Sequence, residues 1–186
     1  MKSNIVKNLM VPISEYATVP EEATLYETVM ALEKAQQEWD KTRYPQRAVL
    51  VYDKNHRIVG KVSQFDVIRA LEPKYDELED QISLSRFGYS PLKMRSLLTE
   101  YKLWNKPLSD ICRKAAQLKV KTFMYTPTEG ECVDENATLD EAIHQLIMGR
   151  HQSLLVTHGK EKEIVGILRK TDVFSEIAAA VKSCSL

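Results

Sequence analysis

The sequence is poor in cysteine and has no long apolar run, and each shortage excludes a class of protein. Cys112, Cys132 and Cys184 are its three cysteines. They include no C-x-x-C pair, so neither a disulfide framework nor a zinc site is predicted. No apolar stretch approaches the ~20 residues that a transmembrane helix needs. The first ten residues lack the apolar core of a signal peptide, so we expect a cytoplasmic protein with no membrane partner.

An excess of charge of either sign is also absent. Lys plus Arg number 26 and Asp plus Glu number 26, which gives a formal net charge of zero. A general nucleic-acid surface would need a basic excess, so we predict no nucleic-acid partner, although a local basic cluster remains compatible with these numbers. The 186 residues are 44% apolar and 28% charged, which is typical of a globular protein with a real core.

Signatures of catalysis are missing as well. The chain has no glycine-rich phosphate loop, no metal-ligand spacing and no recognisable nucleophile motif. We therefore predict a protein that is not an enzyme and that has no metal site and no required cofactor.

What the chain does contain is an internal duplication. Four segments of the first half recur in order in the second half, at offsets of 114 residues for the first two pairs, 105 for the third and 106 for the fourth. The pairs are "VKNLM" (6–10) with "VKTFM" (120–124), "VPEEATLYETV" (19–29) with "VDENATLDEAI" (133–143), "AVLVYD" (48–53) with "SLLVTH" (153–158), and "IVGKVSQFDV" (58–67) with "IVGILRKTDV" (164–173). The fall in offset assigns nine extra residues to copy one, within "QQEWDKTRYPQ".

Both copies predict the same series of elements, β-α-β-β-α. An extended piece precedes a threonine, Thr24 or Thr138, which is placed to cap the helix that follows. Two strands joined by a polar turn and a closing helix complete the unit. The predicted bounds are strands 17–19, 47–52 and 57–62 with helices 25–38 and 64–71 in copy one, and strands 131–133, 153–157 and 163–168 with helices 139–149 and 170–182 in copy two.

A linker separates the copies. Leucines at partly helical spacing, among them Leu92, Leu97 and Leu103, predict two or three helices packed on the duplicated unit. The predicted organisation is therefore copy one at 1–71, a helical linker at 72–119 and copy two at 120–186.

A tandem unit opened by "h-x-x-h-M" and closed by "h-h-G-h-h-[ST]-x-x-D-h" resembles the CBS domain pair, or Bateman module. The resemblance implies a mixed α/β (α+β) fold in which the repeats pack sheet to sheet about a pseudo-twofold axis. It also implies clefts that bind adenine nucleotides (AMP, ADP or ATP) or S-adenosylmethionine, and a tendency to form homodimers. No catalytic chemistry is implied.

The resemblance implies a set of ligand-binding residues. Asp66 and Asp172 fall on the family's ribose-binding carboxylate, whose oxygens can accept both hydroxyl protons of a ribose, and Ser63 falls on its hydroxyl position. An apolar slot for the base is expected from Val11, Ile13 and Ala48 in the copy-one cleft, and from Tyr125, Pro127 and Ser153 in the copy-two cleft. Arg150 and His151 stand where the family often has a basic pair near a phosphate.

Alternatives remain open for several of these residues. Ser63 and Asp66 also fit a capping box, in which each side chain satisfies the backbone N–H of the other. Arg169 stands where copy two should have a hydroxyl, so that Asp172 cannot be explained by the same box. Arg169 and Lys170 could reach a phosphate or could be ordinary solvated charges.

Two classes of function follow. The first is a regulatory module that binds an adenosyl ligand between the repeats and signals to an effector protein of unknown identity. The second is a structural module with vestigial, unliganded clefts that dimerises through the linker helices.

Overall fold

The computed structural model describes residues 4–38, 44–78 and 90–184. Within these ranges the chain forms seven β-strands and six α-helices. The strands are β1 Val11–Pro12, β2 Thr18–Pro20, β3 Ala48–Tyr52, β4 Ile58–Ser63, β5 Cys132–Asp134, β6 Ser153–His158 and β7 Glu163–Arg169. The helices are α1 Leu25–Glu38, α2 Gln64–Ala70, α3 Pro91–Glu100, α4 Leu108–Ala115, α5 Leu139–Gly149 and α6 Lys170–Ser183. None of these helices has the length and apolar character that crossing a bilayer requires.

The predicted β-α-β-β-α unit is confirmed in both copies, as β2-α1-β3-β4-α2 and β5-α5-β6-β7-α6. The threonine caps are confirmed too. The Glu27 backbone N–H donates to Thr24 Oγ1 (3.2 Å), and the Thr24 N–H donates to Glu27 Oε2 (2.7 Å). Thr138 and Glu141 form the same capping box at the start of α5. Much of the nine-residue insertion, at 39–43, lies outside the described residues.

The two sheets are completed by an exchange of opening segments. One sheet has the strand order β2-β3-β4 and the other β1-β7-β6-β5. Strand β1 belongs to the opening segment of copy one, yet it pairs antiparallel with β7 of copy two, Val11 opposite Ile167. In return Tyr125, at the start of copy two, pairs with Lys61 of β4 through two backbone hydrogen bonds of 2.9 and 3.0 Å. Each copy therefore borrows one edge of its sheet from the other.

Equivalent contacts on the two sides establish the pseudo-twofold relation between the copies. Backbone hydrogen bonds recur at the offset of 114 residues that the sequence repeat predicts. They run from Val6 N–H to the Ala137 carbonyl (3.0 Å) and from Val120 N–H to the Ala23 carbonyl (2.8 Å), then from Leu139 N–H to the Asn4 carbonyl (2.9 Å) and from Leu25 N–H to the Leu118 carbonyl (2.8 Å).

The core lies on both sides of each sheet. Leu50 of β3 and Leu155 of β6 are equivalent residues, and both are buried in the cluster where the two sheets meet. Their strand neighbours point the opposite way, as the two-residue period of a strand requires, so that Val49 and Val51 pack with Leu32 of α1. Burying a side chain of this size contributes about 1.5–3 kcal/mol.

The linker packs on copy one. Ala115 of α4 forms a buried cluster with Leu25 of α1 and Ala70 of α2. A second cluster holds Leu97 and Leu103, with Trp104 packed against it. Two of the predicted linker helices are thus present, while residues 79–89 lie outside the described part of the chain.

Candidate functional site

A cavity of about 510 Å³ lies between the copies, beside the starts of β3, β6, α2 and α6. Nine of the thirteen residues that were predicted from the sequence to bind a ligand line this cavity. These are Ala48, Ser63, Asp66, Tyr125, Arg150, His151, Ser153, Arg169 and Lys170. This volume is within the range typical of small-molecule sites.

The ends of the two hairpins set the geometry of this cavity. Ala48 pairs with Ser63 at the end of the β3–β4 hairpin, and the N–H of Gln64, the first residue of α2, donates to the Arg47 carbonyl oxygen (3.1 Å). In copy two, the Lys170 N–H donates to the Gln152 carbonyl in the same way (2.9 Å). Each closing helix therefore starts beside the first residue of its own hairpin.

Asp66 forms the capping box that the sequence left open as an alternative. The Ser63 backbone N–H (2.7 Å) and hydroxyl (2.6 Å) both donate to Asp66 Oδ2, and the Asp66 N–H donates to Ser63 Oγ (3.3 Å). No described residue donates a hydrogen bond to Asp66 Oδ1. The cap therefore leaves one carboxylate oxygen able to accept from a ligand hydroxyl.

In copy two, the equivalent carboxylate is occupied by the chain itself. Arg169 Nε donates to Asp172 Oδ2 (2.6 Å) and Nη2 donates to Oδ1 (2.5 Å), while Nη1 donates to the Tyr44 carbonyl (2.9 Å). The Arg169 side chain is only 7% exposed and that of Asp172 13%. The interpretation of Arg169 as a solvated charge is therefore wrong, because its planar guanidinium satisfies both carboxylate oxygens at once.

A charged cluster that lines the same cavity joins the two copies, and it was not predicted from the sequence. Lys61 Nζ lies 2.8 Å from Glu131 Oε2, and the Tyr125 hydroxyl donates to Glu131 Oε1. The Glu131 side chain is 4% exposed. The signal was present in the repeat, since the residue after the motif glycine is Lys61 in copy one and Ile167 in copy two.

Titration within this cluster follows from its contacts. Burial raises the pKa of Glu131, but hydrogen bonds from Lys61 and Tyr125 and the lysine charge outweigh it and hold that pKa below the usual range. The hydrogen bond to Glu131, burial and the nearby carboxylates raise the pKa of Tyr125 to about 12. Glu131 is therefore ionised and Tyr125 neutral around pH 7.

The exchange of segments corrects the predicted apolar slots. Because Tyr125 pairs with β4, it lies beside Asp66 in the copy-one cleft rather than in the copy-two cleft. Val11 is fully buried and, with half-buried Ile13, belongs to the cluster between the sheets instead of lining the cavity. Pro127, predicted for the base slot, also does not line it.

A second cavity of about 410 Å³ adjoins the first, and Asp66 and Tyr125 line both. Leu118, Phe123 and Met124 supply an apolar part of its wall. The copy-one carboxylate thus borders two adjoining cavities. In the described ranges, no group of His, Cys, Asp or Glu side chains is arranged to hold a metal ion.

Comparison with known sequences now places the chain in a family. A sequence model of the CBS domain matches residues 6–73 and 120–179, one segment in each half of the duplication. The chain belongs to the CBS domain family. Its two matched segments make it a CBS pair. Curated proteins yield no significant match to the sequence.

Solved structures show the same CBS-pair fold. CBSX2 from Arabidopsis thaliana superposes with a TM-score of 0.59 at 16% identity, over 97% of this chain and 98% of that one. A structure of CBSX2 in complex with AMP gives 0.58 at 17%, over 96% and 98%. The CBS domain of the bacterial CNNM/CorC family Mg²⁺ transporter gives 0.60 at 16%, over 95% of this chain and 76% of that one.

Proposed function

We propose that this CBS pair is a regulatory module that binds an adenine nucleotide or S-adenosylmethionine in the copy-one cleft and signals to an effector protein. The observation that carries the proposal is Asp66 Oδ1, which accepts no hydrogen bond from the described residues beside a cavity of ligand size. The complex of CBSX2 with AMP shows that a protein of the same fold takes such a ligand. The proposed activity is binding, with no chemical step.

The two cavities that share Asp66 suit the parts of a nucleotide. The apolar wall around Phe123 and Met124 offers the surface that an adenine ring needs. The ribose hydroxyls would donate to Asp66, and the phosphates would extend into the cavity between the copies, where Arg150 and Lys170 lie. Residues of both copies line that cavity. If the copies can adopt two relative positions, a bound nucleotide would favour the one that binds it more tightly, by the difference between its binding free energies in the two.

The copy-two cleft is proposed to stay unoccupied. A ribose could reach Asp172 only by displacing Arg169, and breaking a buried ion pair costs about 3–5 kcal/mol. The expected stoichiometry is therefore one nucleotide per chain.

Isothermal titration calorimetry with AMP, ADP, ATP and S-adenosylmethionine tests the proposal. Asp66→Ala should weaken binding by at least about tenfold, the effect of losing one hydrogen-bonded charged group. Glu27→Ala is the matched control, because it removes the same kind of capping box from α1 away from the cavity. Absence of binding by the parent, or equal effects of the two substitutions, would contradict the proposal.

The alternative function is a dimerising module with vestigial clefts, and Arg169 in the copy-two cleft favours it. We propose a homodimer under either function. Exposed apolar side chains on α5 and α6, among them Ile147 (68% exposed) and Phe174 (59%), line a groove between these helices. A second copy of the chain would cover them.

A further inference from the structure

Three cationic side chains line the central cavity without an ion-pair partner among the described residues. They are Arg47, Arg150 and Lys170, and all three are exposed. The other charged groups around the cavity are already satisfied within the chain, Lys61 by Glu131 and Arg169 by Asp172. Among the described lining residues Asp66 is the remaining anion, so that these residues carry a local positive excess in a protein of zero net charge.

These cations come from both copies. Arg47 directly precedes β3, and its carbonyl oxygen accepts the N–H of Gln64 at the start of α2, the helix that carries Asp66. Arg150 ends α5 in the left-handed conformation (φ 53°, ψ 32°), and Lys170 is the first residue of α6. The positive excess therefore extends from the copy-one carboxylate to the copy-two side of the cavity.

The pseudo-symmetry does not generate this cluster. The residues equivalent to Arg47, Arg150 and Lys170 in the other copy are Gln152, Pro45 and Gln64, and these line the same cavity. Each cation thus faces the cavity at a position where the other copy has a neutral side chain. If the duplication alone accounted for the cluster, both copies would carry cations at the same positions. Each copy instead supplies different ones, so the cluster exists only where the two copies meet.

We propose, resting on the function proposed above, that the ligand is a nucleoside polyphosphate, whose phosphate chain extends from Asp66 towards Arg150 and Lys170. Each added phosphate brings negative charge into a region of positive potential, so ADP and ATP bind more tightly than AMP. S-adenosylmethionine carries a positive sulfonium in place of phosphates and binds more weakly still. Because the three cations are exposed, the preference is screened by salt.

Calorimetric titration of the full chain with AMP and ATP, at low and at high ionic strength, tests the inference. We expect ATP to bind at least about tenfold more tightly than AMP at low salt, from about 1 kcal/mol or less for each exposed cation. Arg47→Gln, Arg150→Gln and Lys170→Gln should each weaken ATP binding by about two- to fivefold and change AMP binding by less than about twofold. Lys160→Gln, an exposed cation in the β6–β7 turn, is the control.

The outcomes separate this inference from the function on which it rests. If AMP and ATP bind equally well, or if the glutamine variants weaken both alike, the polyphosphate inference is overturned while the nucleotide site stands. If the parent binds neither nucleotide, both are overturned. A preference for ATP that salt and the three substitutions reduce, but that Lys160→Gln leaves intact, supports the inference.

Discussion

Gly60 of copy one lies against Met124 of copy two. A β-carbon built on Gly60 would come within 2.7 Å of the Met124 sulfur and 3.1 Å of the Tyr125 carbonyl oxygen. The equivalent contact places Gly166 against Met10. The methionine that opens each repeat and the glycine that closes it therefore meet across the pair, so these motif residues serve the packing of the copies.

Gly166→Ala should destabilise the fold, by about 1–3 kcal/mol, because its new methyl group would overpack a tight contact. The first obstacle is the Val11 carbonyl oxygen at 2.8 Å, which is backbone and cannot move aside alone. Gly60→Ala should cost less, since the flexible Met124 side chain is its first neighbour. Urea denaturation measures both. Gly130→Ala is the control, with its nearest neighbour at 3.9 Å.

Arg169→Ser should open the copy-two cleft. The substitution restores the S-x-x-D motif, so that the new hydroxyl and Asp172 can form the capping box that copy one already has. Calorimetry should then report two nucleotides per chain instead of one. Arg169→Ala should destabilise the protein by about 3–5 kcal/mol through an uncompensated carboxylate, and the serine variant should lose less. Unchanged stoichiometry in the serine variant would show that Arg169 does not close the cleft.

Lys61→Ile should destabilise the protein by about 3–5 kcal/mol, because Glu131 would remain buried without its cation. Adding Glu131→Ala should recover most of that loss. The double variant gives each position the kind of residue found at the equivalent position of the other copy, where Ile167 corresponds to Lys61 and Ala17 to Glu131. Guanidinium denaturation of the parent, both single variants and the double variant measures the coupling between the two residues. Additive losses would contradict a buried pair.

Acid should weaken the parent more steeply than it weakens this double variant. The folded-state pKa of Glu131 lies below its unfolded value, so its stabilising contribution is present above the unfolded pKa of about 4.3 and is lost as pH falls through the folded value. Urea denaturation at pH 7 and near pH 3.5 should therefore show a larger drop for the parent. An equal drop in both proteins would assign the acid sensitivity to other carboxylates.

Phe174→Asp should convert a homodimer into a monomer by placing a charge in the apolar groove between α5 and α6. Leu108→Asp places the same charge at an equally exposed position of the linker helix α4 (61% exposed), and so tests an interface on the linker instead. Light scattering after gel filtration gives the mass of each. Dissociation by Leu108→Asp alone would place the interface on the linker helices, and a monomeric parent would exclude the dimer.

Local pattern was sufficient to predict most of the elements. The helical period of Leu25, Val29 and Leu32 and the caps at Thr24 and Thr138 are properties of short windows, and helices α1 and α5 begin and end where these predict. The exchange of segments lies beyond such windows. A two-residue strand such as β1 has no period, and only the structure shows that its partner is β7.

The same limit explains the errors at the site. Val11 was predicted beside the ligand because it follows the opening motif, whereas its pairing with Ile167 buries it between the sheets. The spacing of Arg169 and Asp172 permits an ion pair, but sequence cannot tell whether burial and a third acceptor fix the guanidinium there. Lys61 and Glu131 are far apart in sequence, and their contact depends on the packing of the copies.

The pairing of β1 with β7 makes the earliest strand in the described chain depend on the last. Val11 and Pro12 leave the ribosome long before Gly166 and Ile167 exist, so the edge of this sheet stays without its partner until nearly all of the chain has been made. Closing such a distant contact carries a large loop entropy and comes late in folding. Neither sheet is thus complete until both copies are in place.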